Sequence, residues 1–239
     1  MPRKTTTQGA EWTDDPIAQM LRTNDEQAAF YDRNPGSRGN LPTRAWSRLR
    51  GAMMAARRNL GISEAVLDLH RQWMGDLSGK RVLDLGCYSG NALSLYLAGS
   101  AGYYLGIDLS SAGIQRLRAR LDDHGLTSAE VRAVDFLSPE FRYEPFDLVY
   151  AYSVIHHFGH FDEFLRVLSA TLKPGGQVVT MDPLNTWPPL RMARSLYRPF
   201  QSDSDWEHPS LVPHSQRLAA GSISNMFRGS WGMQSGRFR

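Results

Sequence analysis

Residues 82–90 read Val-Leu-Asp-Leu-Gly-Cys-Tyr-Ser-Gly, and this stretch decides the fold. Its first half is mostly apolar and suits a strand that is buried on both faces of a parallel sheet. Gly86 then permits a tight turn, and Gly90 allows a helix over roughly residues 91–98 to begin close to the strand. Backbone N–H groups and a helix N-terminus would then face a nucleotide-like ligand, although an ordinary strand-to-helix turn fits the same pattern.

A second apolar run, residues 103–107, ends in Asp108, about 20 residues beyond the loop. At this distance a Rossmann-type acid reaches the two hydroxyls of a ribose. The loop lacks the middle glycine of the G-x-G-x-x-G fingerprint, which lets a pyrophosphate approach the backbone. We therefore expect a ribose-bearing ligand other than a nicotinamide dinucleotide.

Five segments in order resemble the motifs of class I S-adenosylmethionine-dependent methyltransferases: Asp84-Leu85-Gly86-Cys87-Tyr88-Ser89-Gly90, Gly106-Ile107-Asp108, Val134-Asp135-Phe136, Phe146-Asp147-Leu148-Val149 and Leu172-Lys173-Pro174-Gly175-Gly176. The resemblance covers residues 80–183. It implies an enzyme that uses S-adenosylmethionine and releases S-adenosylhomocysteine. Five motifs in the right order are far more specific than any one of them.

The resemblance also implies how the loop meets the cofactor. Gly86, Cys87 and Gly90 would admit its methionine part, and Asp84 would lie near its amino group, directly or through water. The alternative for Asp84 is that its carboxylate bonds the amides of the loop.

The ribose and the adenine are assigned by the same resemblance. Asp108, with Leu109 beside it, would hold the ribose. Asp135 would accept from the adenine amino group and Phe136 would face the ring. Alternatively, Asp135 caps a turn and Phe136 belongs to the core.

Two tyrosines complete the expected cofactor site. Tyr150 ends the predicted fourth strand, residues 146–150, at the sheet edge where ligands bind, so its backbone would contact the cofactor. Tyr31, in a predicted helix over residues 15–31, would reach the cofactor carboxylate.

The histidine pair His156-His157 follows the fourth strand. An imidazole titrates near neutrality, so either side chain could remove a proton from a hydroxyl acceptor. The alternative is a structural role. We expect methyl transfer to a small molecule, most readily at an oxygen, with one of these histidines as the candidate catalytic base.

A nucleic-acid substrate is disfavoured by two observations. Cys87 is the single cysteine, so a covalent C5-pyrimidine mechanism has no other candidate nucleophile, and a cysteine-based zinc cluster or an internal disulfide is excluded. The Asn/Asp-Pro-Pro-aromatic signature is missing after the fourth strand. Two other functions stay open: a cofactor-binding or partner-dependent protein without activity alone, and, less favoured, a nicotinamide-dependent oxidoreductase.

Composition and charge give the wider setting. The 239 residues, 41% of them hydrophobic, suit one α/β domain, and no apolar run is long enough to cross a bilayer. Since the single cysteine excludes an internal disulfide, we expect a reducing, cytoplasmic compartment. Residues 33–63 hold seven arginines and no acid. This basic segment could meet nucleic acid, an anionic lipid surface or an acidic small substrate, or it could be a solvated helix face.

The predicted architecture is a doubly wound, mostly parallel sheet in three regions. Residues 1–79 would form a disordered tail and a helical cover, residues 80–183 the cofactor-binding core, and residues 184–239 helices and a sixth strand. Ser63 and Ser110 or Ser111 are expected helix caps. A seventh strand, antiparallel in the family, is not found, so the short C-terminal end would leave a sheet edge for a homodimer or partner.

Overall fold

The computed structural model describes residues 15–33, 41–182, 192 and 233–237. Six strands form one sheet in the order β3-β2-β1-β4-β5-β6, where the strands are β1 Arg81–Leu85, β2 Tyr103–Asp108, β3 Glu130–Ala133, β4 Phe146–Tyr152, β5 Leu172–Met181 and β6 Met233–Arg237. The helices are α1 Pro16–Arg33, α2 Leu41–Asn59, α3 Ile62–Met74, α4 Ser94–Ser100, α5 Ser111–Asp123 and α6 Phe161–Thr171, with a 3-10 turn at Ile155–His157. Strands β1 to β5 run parallel, and β6 is antiparallel to β5.

The central strands β1, β2 and β4 are buried on both faces, as the apolar runs predict. Successive side chains of a strand point to opposite faces, so Val82 and Leu83 enter different clusters. Val82 packs with Leu93 and Leu117, on the side of α3, α4 and α5. Leu83 packs with Phe164, on the side of α6. Helices on both faces of a parallel sheet make the fold doubly wound, as expected.

Several element boundaries differ from the sequence predictions. Strand β4 continues to Tyr152, two residues past the predicted end, because it pairs with β5 as far as Met181. Helix α3 begins at Ile62 after Gly61, whose φ of 69° is left-handed, so the expected Ser63 cap is wrong. The cap by Ser110 is confirmed, since its Oγ accepts from the backbone N–H of Gly113 at 3.0 Å.

The end of the sheet also corrects an expectation. The resemblance implies that the antiparallel strand is the seventh. In the structure β6 is the antiparallel strand, it is the sixth in chain order among the described strands, and it pairs directly with β5. The predicted disordered tail over residues 1–13 and the C-terminal helices lie outside the described residues, Met192 excepted. The three region boundaries stay predictions.

Among the described helices, none combines the length and the apolar character that crossing a bilayer requires.

Candidate functional site

A cavity of about 350 Å³ opens at the carboxyl ends of β1, β2 and β4. This is the edge at which ligands bind in open α/β sheets, and the volume lies within the usual range for small-molecule sites. Seven of the sequence-predicted cofactor residues line it: Gly86, Cys87, Gly90, Asp108, Leu109, Asp135 and Phe136. His157 lines it as well.

The loop after β1 is held against β2 by backbone hydrogen bonds. The N–H groups of Gly86 and Cys87 both donate to the carbonyl of Ile107, at 2.9 and 3.1 Å. Gly86 has a φ of 71°, and a Cβ added there would lie 2.5 Å from Cγ2 of Val154. The chain that follows β4 therefore approaches the loop so closely that only glycine fits at this position.

The Asp108 carboxylate joins the loop to the end of β2. Its Oδ2 accepts from the N–H of Tyr88 and its Oδ1 from the N–H of Ser110, both at 2.9 Å. Burial raises the pKa of this carboxyl above its usual value, and the two backbone N–H groups oppose the shift. Each oxygen keeps a lone pair, so the carboxylate can still accept from hydroxyls in the cavity.

Asp135 and Phe136 follow β3 and meet α1. Asp135 Oδ1 accepts from the N–H of Leu137, and Oδ2 accepts from Nδ2 of Asn24, both at 2.8 Å. Burial raises the pKa of the Asp135 carboxyl. Phe136 is 3% exposed and packs in the core as well as lining the cavity. The core interpretation of Phe136 is thus confirmed, and its contact with an adenine ring stays a prediction.

The two adjacent histidines have different surroundings. His157 lines the cavity, and its buried Nδ1 has no hydrogen-bond partner within the described part of the chain. Burial, assisted by the neighbouring His156, lowers the pKa of His157 to about 4, so its imidazole is neutral at neutral pH. His156 is not a lining residue; its Nδ1 lies 2.7 Å from Oδ1 of Asp182.

Asp84 does not line the cavity but lies beneath it. Its carboxylate is fully buried and accepts from Asn91 Nδ2 at 2.8 Å, from Ser94 Oγ at 2.6 Å and from the hydroxyl of Tyr104 at 2.9 Å. Burial raises the pKa of Asp84 to about 6 despite these donors. Asn91 does line the cavity, so the hydrogen bond from its side chain connects Asp84 with the cavity wall.

Tyr150 does not line the cavity. Tyr150 is fully buried within β4, its hydroxyl lies 3.1 Å from Nδ1 of His70, and the strand end that lines the cavity is Tyr152. The expected place of Tyr150 at the strand end is therefore wrong. Tyr31 belongs to α1, but its side chain lies outside the described residues.

Sequence reasoning missed the part of the lining that comes from α1. Asn24 and Gln27 are buried side chains of α1 that line the cavity. The sequence carries no signal for them, because amide side chains on a helix are mostly exposed and only the packing of α1 buries these two. Nothing in the sequence links Asn24 to Asp135, 111 residues away.

A sequence profile of the family described as a methyltransferase domain matches residues 54–230. The chain belongs to this family. The resemblance drawn from the five motifs is thereby confirmed, and together with the fold it makes the chain a class I S-adenosylmethionine-dependent methyltransferase domain with S-adenosylmethionine as its cofactor.

Curated relatives of this methyltransferase domain are also methyltransferases. The chain is 37% identical over 109 residues to a fatty-acid O-methyltransferase of Mycolicibacterium smegmatis, and the match covers 45% of this chain and 38% of that one. It is 35% identical over 108 residues to a phthiotriol/phenolphthiotriol dimycocerosates methyltransferase of Mycobacterium leprae, with 45% and 39% covered. The chain thus spans about two fifths of the length of these relatives.

Among solved structures, the methyltransferase domain is similar to an S-adenosylmethionine-dependent methyltransferase from Mesorhizobium loti. The identity is 27% and the TM-score 0.43, over 49% of this chain and 53% of that one.

The lining of the cavity fits S-adenosylmethionine. Gly86 and Gly90 line the cavity and carry no side chain, so the loop presents its backbone to a ligand at both positions. The buried Gln27 Nε2 and His157 Nδ1 have no partner in the described residues, and polar groups of a bound ligand would satisfy them. The cavity thus offers these two groups to a ligand, beside the carboxylates of Asp108 and Asp135.

Replacing Gly86 by Ala tests the close approach of Val154 to the loop. We expect Gly86→Ala to lower the free energy of unfolding by roughly 2–5 kcal/mol, since it combines left-handed backbone strain with a steric overlap. Gly125→Ala is the matched control: Gly125 has a φ of 70°, and no atom lies within 4 Å of the position that a Cβ would take, so only the backbone strain applies.

Urea unfolding of both variants measures the difference. Equal losses for Gly86→Ala and Gly125→Ala would contradict the close approach of Val154 and the cradle built on it.

Proposed function

We propose that this domain transfers the methyl group of S-adenosylmethionine to an oxygen of a small-molecule acceptor. The observation that carries the proposal is the cavity that gathers the glycine loop, Asp108 and Asp135 at the carboxyl edge of the sheet. When bound, the cofactor supplies an electrophilic methyl group on a sulfonium. The protein's own residues supply binding, orientation and, for a hydroxyl acceptor, removal of a proton.

The cofactor would bind along the strand ends in the order that the motifs imply. The free lone pairs of Asp108 would accept from the ribose hydroxyls, and Asp135, held by Asn24, would accept from the adenine amino group. Gly86, Cys87 and Gly90 would admit the methionine part through the backbone. Asp84 would act indirectly, by fixing the amide of Asn91 at the methionine end.

The acceptor would bind beside the chain that follows β4. Tyr152, Ser153, Val154 and Phe158 line this side of the cavity and present mainly apolar surface. An oxygen acceptor is supported by the nearby histidines and by the similar fatty-acid O-methyltransferase. A fatty acid presents a carboxylate, which needs alignment only, whereas a hydroxyl also needs a base.

His156 is the better candidate for that base. A carboxylate only accepts, so Asp182 holds the proton on His156 Nδ1 and leaves Nε2 as the acceptor. Asp182 is itself fixed: its Oδ1 also accepts from the N–H of His156 at 3.2 Å, and its Oδ2 accepts from Thr180 Oγ1 at 2.7 Å. The proton of the acceptor hydroxyl would pass to Nε2 of His156. An imidazole whose tautomer is fixed in this way is what general-base catalysis requires.

His157 is the weaker base although it lines the cavity. With a pKa of about 4 it is neutral at neutral pH, but its conjugate acid is too strong for the imidazole to draw a proton from a hydroxyl effectively. Its unpartnered Nδ1 suits a hydrogen bond to the ligand.

A methyl-transfer assay tests the proposed function. The full chain with methyl-labelled S-adenosylmethionine should label carboxylate or hydroxyl acceptors in a panel that also contains amines and thiols. Label found on nitrogen alone would contradict the choice of oxygen, and no label on any acceptor, despite cofactor binding, would favour a protein inactive alone.

Histidine variants then distinguish a base from a structural residue. With a hydroxyl acceptor, His156→Ala should lower the single-turnover rate by about 10²–10⁴-fold, with cofactor affinity little changed. Asp182→Asn, which keeps the shape but loses the orienting charge, should lower it less. His157→Ala should leave the rate per folded molecule within a few fold, because its side chain does not take the proton.

The pH dependence of the single-turnover rate provides the decisive readout. His156→Ala should change the shape of the wild-type profile, whereas His157→Ala should keep it. If both variants keep the wild-type rate and profile, neither histidine is the base.

A further inference from the structure

Helix α2 is the most exposed helix among the described elements, and the proposed chemistry makes no use of it. It packs mainly against α3, and most of its described side chains are exposed. At about 1.5 Å per residue its 19 residues make a rod of roughly 28 Å. Apolar side chains on a helix that is so exposed indicate a surface that contacts something else.

One face of α2 is apolar and open to solvent. Leu49, Met53, Ala56 and Leu60 follow one another at spacings of four, three and four, so they share one face. Leu60 continues the helix, because its N–H donates to the carbonyl of Ala56 at 3.0 Å. The exposed fractions are 54% for Leu49, 49% for Met53 and 73% for Leu60, whereas a helix that served only the core would bury these side chains.

The opposite face of α2 is strongly basic. The helix contains five arginines and no acid. Arg44, Arg48 and Arg58 are exposed and fall within an arc of about 80°, since each residue turns the helix by about 100°. No carboxylate lies within ion-pair distance of these three among the described residues; the nearby Glu64 and Asp68 of α3 both pair with Arg71.

We propose that α2 is an interfacial helix that docks this domain on an anionic lipid surface. The inference goes beyond the proposed function and does not rest on it. Its apolar face would lie in the boundary between headgroups and acyl chains, while the arginines would remain at headgroup level, their long side chains reaching the phosphates. Charge complementarity selects the anionic surface, because an acid-free helix with five arginines attracts lipid phosphates.

Two other occupants fit the surface less well. A nucleic acid would neutralise the arginines but leave Leu49, Met53 and Leu60 exposed to water. A second copy of the chain would cover the apolar face, but a two-fold contact would bring two such basic helices together. The lipid surface satisfies the apolar and the basic face at the same time.

Vesicle co-sedimentation of the full 239-residue chain tests the proposal. Vesicles of phosphatidylcholine with phosphatidylglycerol should bind the chain at low salt, and pure phosphatidylcholine vesicles should bind it far less. Arg44→Gln/Arg48→Gln should weaken the partition coefficient by roughly 10- to 30-fold. Leu49→Ser/Met53→Ser should weaken it by about tenfold or more, through lost apolar contact.

Arg142→Gln/Arg166→Gln is the matched control, because it removes the same charge from exposed positions outside α2. It should keep most of the wild-type partitioning. All the substituted side chains are exposed, and the ion pair of Arg166 with Glu163 lies at the surface, so thermal unfolding should show folded variants.

Three results would overturn the proposal. The first is no binding to phosphatidylglycerol vesicles, or equal binding to both vesicle types. The second is equal loss in the α2 variants and in the control, which would indicate net charge rather than this helix. The third is that the chain dimerises without lipid, or binds polyuridylate but not vesicles, and that this association is lost in Arg44→Gln/Arg48→Gln or in Leu49→Ser/Met53→Ser.

Discussion

The site depends on the attachment of the glycine loop to the end of β2. The carbonyl of Ile107 accepts from two consecutive N–H groups of the loop, and the Asp108 carboxylate accepts from a third, that of Tyr88. The loop therefore cannot move without breaking contacts with β2. The same carboxylate must serve a ribose in the proposed complex, so cofactor affinity and loop geometry are coupled through one side chain.

Three buried carboxylates hold the loop and its neighbours in place, and burying them lowers the free energy of unfolding when they are charged. Burial raises the pKa of Asp84, Asp108 and Asp135, which means that the folded state disfavours their charged forms relative to the unfolded chain. The contribution of Asp84 to the free energy of unfolding therefore declines as the pH rises from about 4 to about 6. The contributions of Asp108 and Asp135 change in the same direction. Retaining three such carboxylates at one sheet edge suits a binding site better than a packing role.

The sequence predicts the parts of the site that depend on local patterns. Apolar runs and glycines locate β1, β2 and the loop, because burial and positive φ each demand particular residue types. Asp108 and Asp135 follow from their places in the ordered motifs. The contacts of Asn24 with Asp135, across 111 residues, and of His156 with Asp182 leave no local pattern, since they depend on how separate elements pack.

Two sequence predictions, the end of β4 and the cap of α3, are wrong because residue type alone does not determine them. The sequence pattern ends β4 at Tyr150, whereas pairing with β5 extends the strand to Tyr152, and the hydroxyl of Tyr150 meets His70 instead. Ser63 has the right residue type for a cap, but the left-handed Gly61 sets the start of α3. In both cases a tertiary contact or a backbone angle decides what residue type alone leaves open.

Hydrogen exchange with and without S-adenosylhomocysteine tests whether this cavity is the cofactor site, because it reports on the backbone of the unmodified chain. We expect slower exchange in peptides that cover residues 86–91, 108–110 and 134–137, with peptides from α2 unchanged. Binding of the product that protects other segments and leaves the loop after β1 unaffected would contradict the assignment of this cavity as the cofactor site.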